Sequence, residues 1–468
     1  MNSNKDISSQ SIKKLVRFFE KQSQSQDYSF FENKNYLSII NYYISNNKEK
    51  EALSVSKLAV NQFPYEIDLL LIRAELLYKN MEINEAIELL ERANLTNPNN
   101  INIYTLLSKM LLETGETEEA QEYLNAALTL EPEGNTDIFF SKAVAFLQNE
   151  EIDKAIQNLK KSLTLDPTNK VALLELVNCY LEKDNVEKGI EFYEKLIDQN
   201  PYSYEIWNNR GILFDFLGNH NQAIHSYQLA IAINDKISES FFYLGNSYIE
   251  NENYSNAIDA LKTSIKLGDN DFMVLHQIGL AYSLLENYIK ARSYFRKSIE
   301  KESSFAENWY GLGITFAEEN DSEKAIKYFK HAIQLDPEND NYWYELGNSY
   351  AYSNNFKLST EAYNEAVTLN PLFVEAWIDY ILFLFENNLT EKSIEKLEEA
   401  LSLNNNEAKI LYIYAGILFD TGNFEKGENL LNKALNLNFK SLDYLFDNFP
   451  FLNSDPRIKN IIKQHLNK

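Results

Sequence analysis

Cysteine is almost absent. Cys179 is the only one in 468 residues, which rules out an intrachain disulfide framework and a thiolate zinc cluster. Proline is scarce at 9, and 44% of the residues are apolar, so wholesale disorder is excluded. No apolar run approaches the length of a membrane span, and integral membrane contact is not expected. The opening MNSNKDISSQSIKKLVRFFEK has lysines but no continuous apolar segment and no small-residue cleavage pattern. General secretory export fits poorly, and cytoplasmic residence is the expectation. Positive charge is also short: 44 Lys and Arg stand against 69 Asp and Glu, for a net −25. Duplex recognition needs concentrated positive charge, so nucleic acid is not an expected partner.

Catalytic signatures are missing too. There is no HExxH, GxSxG, Walker A loop or kinase set. His220 and His225 lie five apart across a turn and helix start, a poor metal pair, and Cys179 falls where a first helix packs inward. Acidic pairs such as Glu118-Glu119 look like solvated helix faces. No metal, cofactor or enzymatic activity is expected.

What the chain does have is a period of 34 residues, a length that points to a stacked repeat architecture. All four tryptophans, Trp207, Trp309, Trp343 and Trp377, share one phase, and LGNSY occurs at 244–248 and again at 346–350. With position 1 set three residues before each tryptophan, units begin at 33, 67, 101, 136, 170, 204, 238, 272, 306, 340, 374 and 408. Position 20 is small in all twelve, Ala86, Ala257 and Ala325 among them, and position 27 nearly so. Seven prolines, including Pro337, occupy position 32.

Within unit 306–339, Trp309, Leu312 and Phe316 give one helix period, and Ala325, Phe329 and Ala332 give a second. A polar turn separates them. Its centre carries Asn47, Gly115, Gly218, Asn354, Asn388 or Gly422 in other units, residues suited to a left-handed helix exit. Glycine at position 8 (Gly211, Gly245, Gly279, Gly313, Gly347) lets two antiparallel helices approach. The GxG of GLGITF at 311–316 is therefore a helix segment rather than a phosphate loop. Gly313 is its contact residue, and Gly311 a surface neighbour.

Trp309, Leu312, Gly313, Phe316, Ala325, Phe329, Ala332 and Pro337 resemble the tetratricopeptide-repeat pattern, and related versions recur in all twelve units. Unit one departs from it at Ile40, and unit five at Gly189 and Leu196. The resemblance implies an all-α, right-handed superhelical solenoid of antiparallel helix pairs over 33–441. Residues 1–32 then form an amphipathic helix and polar linker, and 442–468 a capping region with its helix at 456–466. The front stripe of Ile12, Leu15, Val16 and Phe19, with Tyr28, Phe30 and Phe31 beyond it, can cap the array. Its Lys13-Lys14-Arg17 face could instead touch an acidic partner or membrane surface.

The resemblance further implies that positions 2, 5, 9, 12 and 13 line a concave binding surface. The candidates there are Asn208, Phe242, His276, Tyr310, Tyr344 and Tyr412 at position 5, and Asn178, Asn246 and Asn348 at position 9. Position 2 adds Glu205, Glu239, Glu307 and Glu375. The lysine that a carboxylate-binding subclass carries at position 5 is replaced by Leu174, Phe242 or Tyr344, so a clamp for acidic tails is disfavoured. Each terminal segment is +1, leaving −27 on the array. The expected function is a non-enzymatic scaffold binding a protein or peptide of basic and apolar character. The alternative is an accessory subunit of a larger complex whose partner carries catalysis.

Overall fold

A computed structural model describes residues 9–23, 31–269, 271–404 and 406–466. Only helices and their connections occur among the described residues. First helices begin at Asn33, Ile67, Ile101, Thr136, Lys170, Tyr204, Ser238, Phe272, Ala306, Asp340, Val374 and Ala408, each on position 1 of the 34-residue frame. Every second helix begins on position 17, from Glu49 in repeat 1 to Phe424 in repeat 12. The chain divides into two compact units, residues 1–235 and 236–468, holding repeats 1–6 and 7–12. Within each unit consecutive helices pack antiparallel in pairs, each pair against the next.

The turn inside each repeat has one geometry. Position 15 has positive φ in all twelve, between 49° at Asp184 and 85° at Gly115. The following N–H returns to the carbonyl of position 11, as in Glu116 to Leu111 at 2.8 Å and Asn253 to Tyr248 at 2.7 Å. That six-to-one bond closes the helix end and reverses the chain. Glycine and asparagine suit the conformation. Met81, with φ 65°, does not.

Close approach sets the packing. All twelve residues at position 20 and all twelve at position 27 are buried. Serines there add a polar tie: Ser359 and Ser393 donate to the position 8 carbonyls of Gly347 and Ile381, each at 3.0 Å. Ser298 donates to Phe272 O at 2.7 Å. At position 8 glycine accommodates the residue at position 24. A Cβ on Gly211 would lie 2.5 Å from the Tyr227 ring, one on Gly347 2.8 Å from Tyr363, and one on Gly313 would overlap Phe329. Repeat 1 inverts the pair, with Ile40 facing the small Ser56, both fully buried. Repeat 5 moves its glycine to position 20, where Gly189 receives the ring of Tyr180.

The tryptophans bridge repeats. Trp207, Trp343 and Trp377 each donate Nε1–H to the proline carbonyl six residues earlier, at 2.9, 2.9 and 3.0 Å, and Trp309 does so to Ser303 at 2.9 Å. All four acceptors stand at position 32 of the preceding repeat. Gly311 is not the surface neighbour expected. A Cβ there would come 2.6 Å from Phe295 of the preceding repeat, so that ring is held between Gly279 and Gly311.

At the front, Ser9–Ser23 seats Val16 and Phe19 with Phe31 in the core of repeat 1, and Lys13, Lys14 and Arg17 face water. Tyr28 and Phe30 lie outside the described residues. At the back, covering begins earlier than the expected 456–466. Leu445, Phe449 and Leu452 are buried as well as Ile458 and Ile461, and Phe449 rests on Gly416. Leu466, expected on the apolar stripe, is exposed.

Replacing Gly313 with alanine should destabilise the fold by about 1–3 kcal/mol, because the methyl must displace Phe329. Phe329→Leu should relieve part of that loss in the double variant, and urea denaturation of the four proteins measures the coupling. Met81→Gly should raise stability by about 0.5–1 kcal/mol by removing a side chain from a left-handed position.

Candidate functional site

The second helices occupy one side of each first helix through positions 8, 20, 24 and 27, which leaves another face of the first helix free to line a surface. In repeats 2–5 that face bounds a cleft of about 750 Å³. Leu71, Thr105 and Phe140 line it from position 5, Glu75, Lys109 and Val144 from position 9, Asn102, Asp137 and Val171 from position 2. Glu113 and Gln148 reach it from position 13. Lys109, which the sequence reading passed over, lies 4.9 Å from the Tyr78 ring centre, and the Tyr78 hydroxyl donates to Glu113 at 2.9 Å.

A second cleft, of about 670 Å³, lies at repeats 10 and 11. Tyr344, Asn348, Asp379, Leu382, Phe383 and Glu386 line it from the first helices, and Tyr363 from the second helix of repeat 10. Tyr344 Oη donates to Asp379 at 2.6 Å, and Tyr363 Oη donates to Asn348 Oδ1 at 2.6 Å. The Asn348 amide donates to Glu345 at 3.4 Å. Burial pushes both the Glu345 and Asp379 carboxyls above their ordinary range, and their mutual repulsion adds to the shift of Glu345.

The remaining candidates scatter. Tyr412 is fully buried, its hydroxyl donating to Asn438 O at 3.0 Å, and Asn208 is 4% exposed. Neither can reach a partner, since both are buried, Tyr412 in one cluster with Leu445 and Phe449 of the C-terminal segment. His276 is a structural link: its ring nitrogen lies 3.0 Å from Asn308 Oδ1, and Asn308 donates to Ser298 at 2.8 Å. Burial holds the His276 imidazole below its ordinary value, and so neutral. Tyr310 is half-buried, packed 4.9 Å from Tyr342 and 5.7 Å from Phe329. Asn178 is exposed, and Phe242 is half-buried beside Tyr243. Asn246 Oδ1 has no hydrogen-bond partner.

Two candidate glutamates are engaged, Glu205 with Lys170 at 2.9 Å and Glu375 with Lys409 at 2.8 Å. Glu239 accepts from Tyr243 at 3.0 Å, and Glu307 is half-buried. Burial makes the Cys179 thiol inert by pushing it up to about 11. No group of three or more His, Cys, Asp or Glu is placed to hold a metal ion among the described residues. None of the described helices is long and apolar enough to cross a membrane.

Charge divides the first helices sharply. In repeats 1–6 each carries at least one Lys or Arg: Lys34, Arg73, Lys109, Lys142, Lys170 and Arg210. In repeats 7–11 they carry none, against eight carboxylates. Asp379 and Glu345 stand at position 6, outside the five positions the resemblance assigns to the surface. Counting cations helix by helix would have flagged that stretch.

Tetratricopeptide-repeat models match residues 82–139 and 146–208, 192–225, 274–300, 306–339, 344–408 and 408–441, well over half of the chain. The human Protein O-mannosyl-transferase TMTC1 is 24% identical over 37% of this chain and 20% of its own length. The BBSome complex member BBS4 homolog of Drosophila melanogaster is 21% identical over 49% of each chain. The present chain thus spans about a fifth of the first and half of the second. Among solved structures, YrrB, described as a TPR protein with an unusual peptide-binding site, shares 22% identity over 39% of this chain and 95% of that chain, with a TM-score of 0.33.

The elevated carboxyls set a pH dependence. Unfolded, Glu345 and Asp379 ionise at ordinary values; folded, they ionise higher. Their contribution to stability is therefore fully present below the unfolded value and is lost as pH rises through the folded one. Glu345→Gln and Asp379→Asn should each raise Tm by about 1–3 °C at pH 8. The gain should shrink as pH falls through the ordinary carboxyl range and vanish toward about 3, where both states hold the proton. Thermal scans across pH measure it.

Proposed function

The chain belongs to the tetratricopeptide-repeat family, and from that premise we propose that it is a non-catalytic accessory subunit of a larger assembly. It holds a basic, partly apolar segment of a partner protein against its first-helix surface. One observation carries the choice of partner: the first helices of repeats 7–11 carry eight carboxylates, of which Glu375 is paired with Lys409, and no Lys or Arg, with tyrosines between them. Long-range attraction of that kind speeds encounter and selects sign, and the aromatic area supplies contact energy. The role within an assembly is supported by the Drosophila relative, which is described as a BBSome complex member.

Tagged full-length protein recovered from its native cells tests the reading. At about 50 mM salt the wild type should retain a partner that is released progressively toward about 500 mM. Tyr344→Ala should reduce retention by about tenfold, the loss of one aromatic hot spot. Tyr202→Ala, 86% exposed between repeats, should leave it unchanged. Retention indifferent to both salt and Tyr344→Ala, with helix content intact by circular dichroism, would overturn the proposal.

A further inference from the structure

We infer that the cleft at repeats 10 and 11 is a receptor for a single cationic side chain, a lysine or arginine of the partner protein, with Asp379 at its wall as the direct counter-charge and Glu345, held behind Asn348, adding to the field. This rests on the proposed partner-binding role and gives it a point of recognition.

Two carboxylates elsewhere on the first helices meet a cation. Lys170 meets Glu205 and Lys409 meets Glu375, each pair spanning adjacent repeats. At Asp379 and Glu345 the partners are neutral: the Tyr344 hydroxyl on one, the Asn348 amide on the other. Among the described residues no ion pair involves either carboxylate, and no first helix from repeat 7 to repeat 11 has a Lys or Arg to offer. Holding two carboxylates together away from bulk water costs stability unless a positive charge arrives.

The cleft has the rest of what such a side chain needs. Tyr344 and Tyr363 lie 6.3 Å apart by ring centroid, and Tyr363 lies 5.8 Å from Phe383, giving π-faces that attract a cation and cover its methylenes. Asp379 and Glu386 line the same cleft, so carboxylates are available at its wall as well as behind Asn348. A metal ion fits less well, because no His, Cys, Asp or Glu set able to hold one occurs among the described residues.

The probe is a fluorescein-labelled hexapeptide amide alternating arginine with leucine, beside the same peptide with citrulline, which keeps the shape of arginine and removes its charge. Fluorescence anisotropy with the full chain should show the arginine peptide binding about tenfold more tightly than the citrulline one. Asp379→Asn and Glu345→Gln should each erase most of that difference. Glu365→Gln, an exposed carboxylate on the second helix of repeat 10, should change it by less than about twofold. Equal binding of the two peptides, no binding of either, or equal losses from Asp379→Asn and Glu365→Gln would each overturn the cation receptor.

The two readings fail separately. A native partner lost on Tyr344→Ala but kept by Asp379→Asn leaves the accessory role standing and removes this site. Arginine-peptide binding that depends on Asp379, with no native partner retained, does the reverse.

Discussion

The distance at which the two helices of a repeat can approach governs everything else in the molecule. It is set by reciprocal volume at positions 8 and 24, glycine against a ring in repeats 6, 8, 9 and 10, isoleucine against serine in repeat 1. Small residues at positions 20 and 27 keep the axes close along their length. Interiors packed this tightly transmit any added methylene to their neighbours. Because that contact takes one side of the first helix, positions 2, 5, 9 and 13 are released to line clefts, which are a by-product of the packing rule.

A second layer of organisation is electrostatic. Lysine and arginine stand on every first helix of the first compact unit and on none from repeat 7 to repeat 11. Where the pairs exist, as between Lys170 and Glu205, they hold adjacent repeats together. Where they are missing, Glu345 and Asp379 remain with neutral hydrogen-bond partners and carboxyls that resist ionisation.

Much of this was legible in the residues. The period fixed the start of all twelve first helices, because position 1 follows from tryptophan and proline phase. Left-handed turns were foreseen at Asn47, Gly115, Gly218, Asn354, Asn388 and Gly422, since those residues tolerate positive φ. They were not foreseen at Met81 or Glu150, where closing the turn overrides residue preference. Gly311 was misread as a surface residue because its neighbour Phe295 comes from another repeat. Tyr412 and Asn208 share a repeat position with Tyr344 yet are buried, since what covers position 5 depends on the next repeat and, at Tyr412, on the C-terminal segment.

The sequence by itself determined the repeat, its helix pairs, their turns and the sign of the protein's charge, because each follows from spacing and side-chain size within 34 residues. Only the tertiary structure decided which position 5 side chains face a cleft, that Trp207, Trp309, Trp343 and Trp377 tie one repeat to the last, and that Asp379 meets Tyr344 beside Glu345. Those depend on contacts between residues a full repeat apart, where neither partner's identity dictates the geometry of the other.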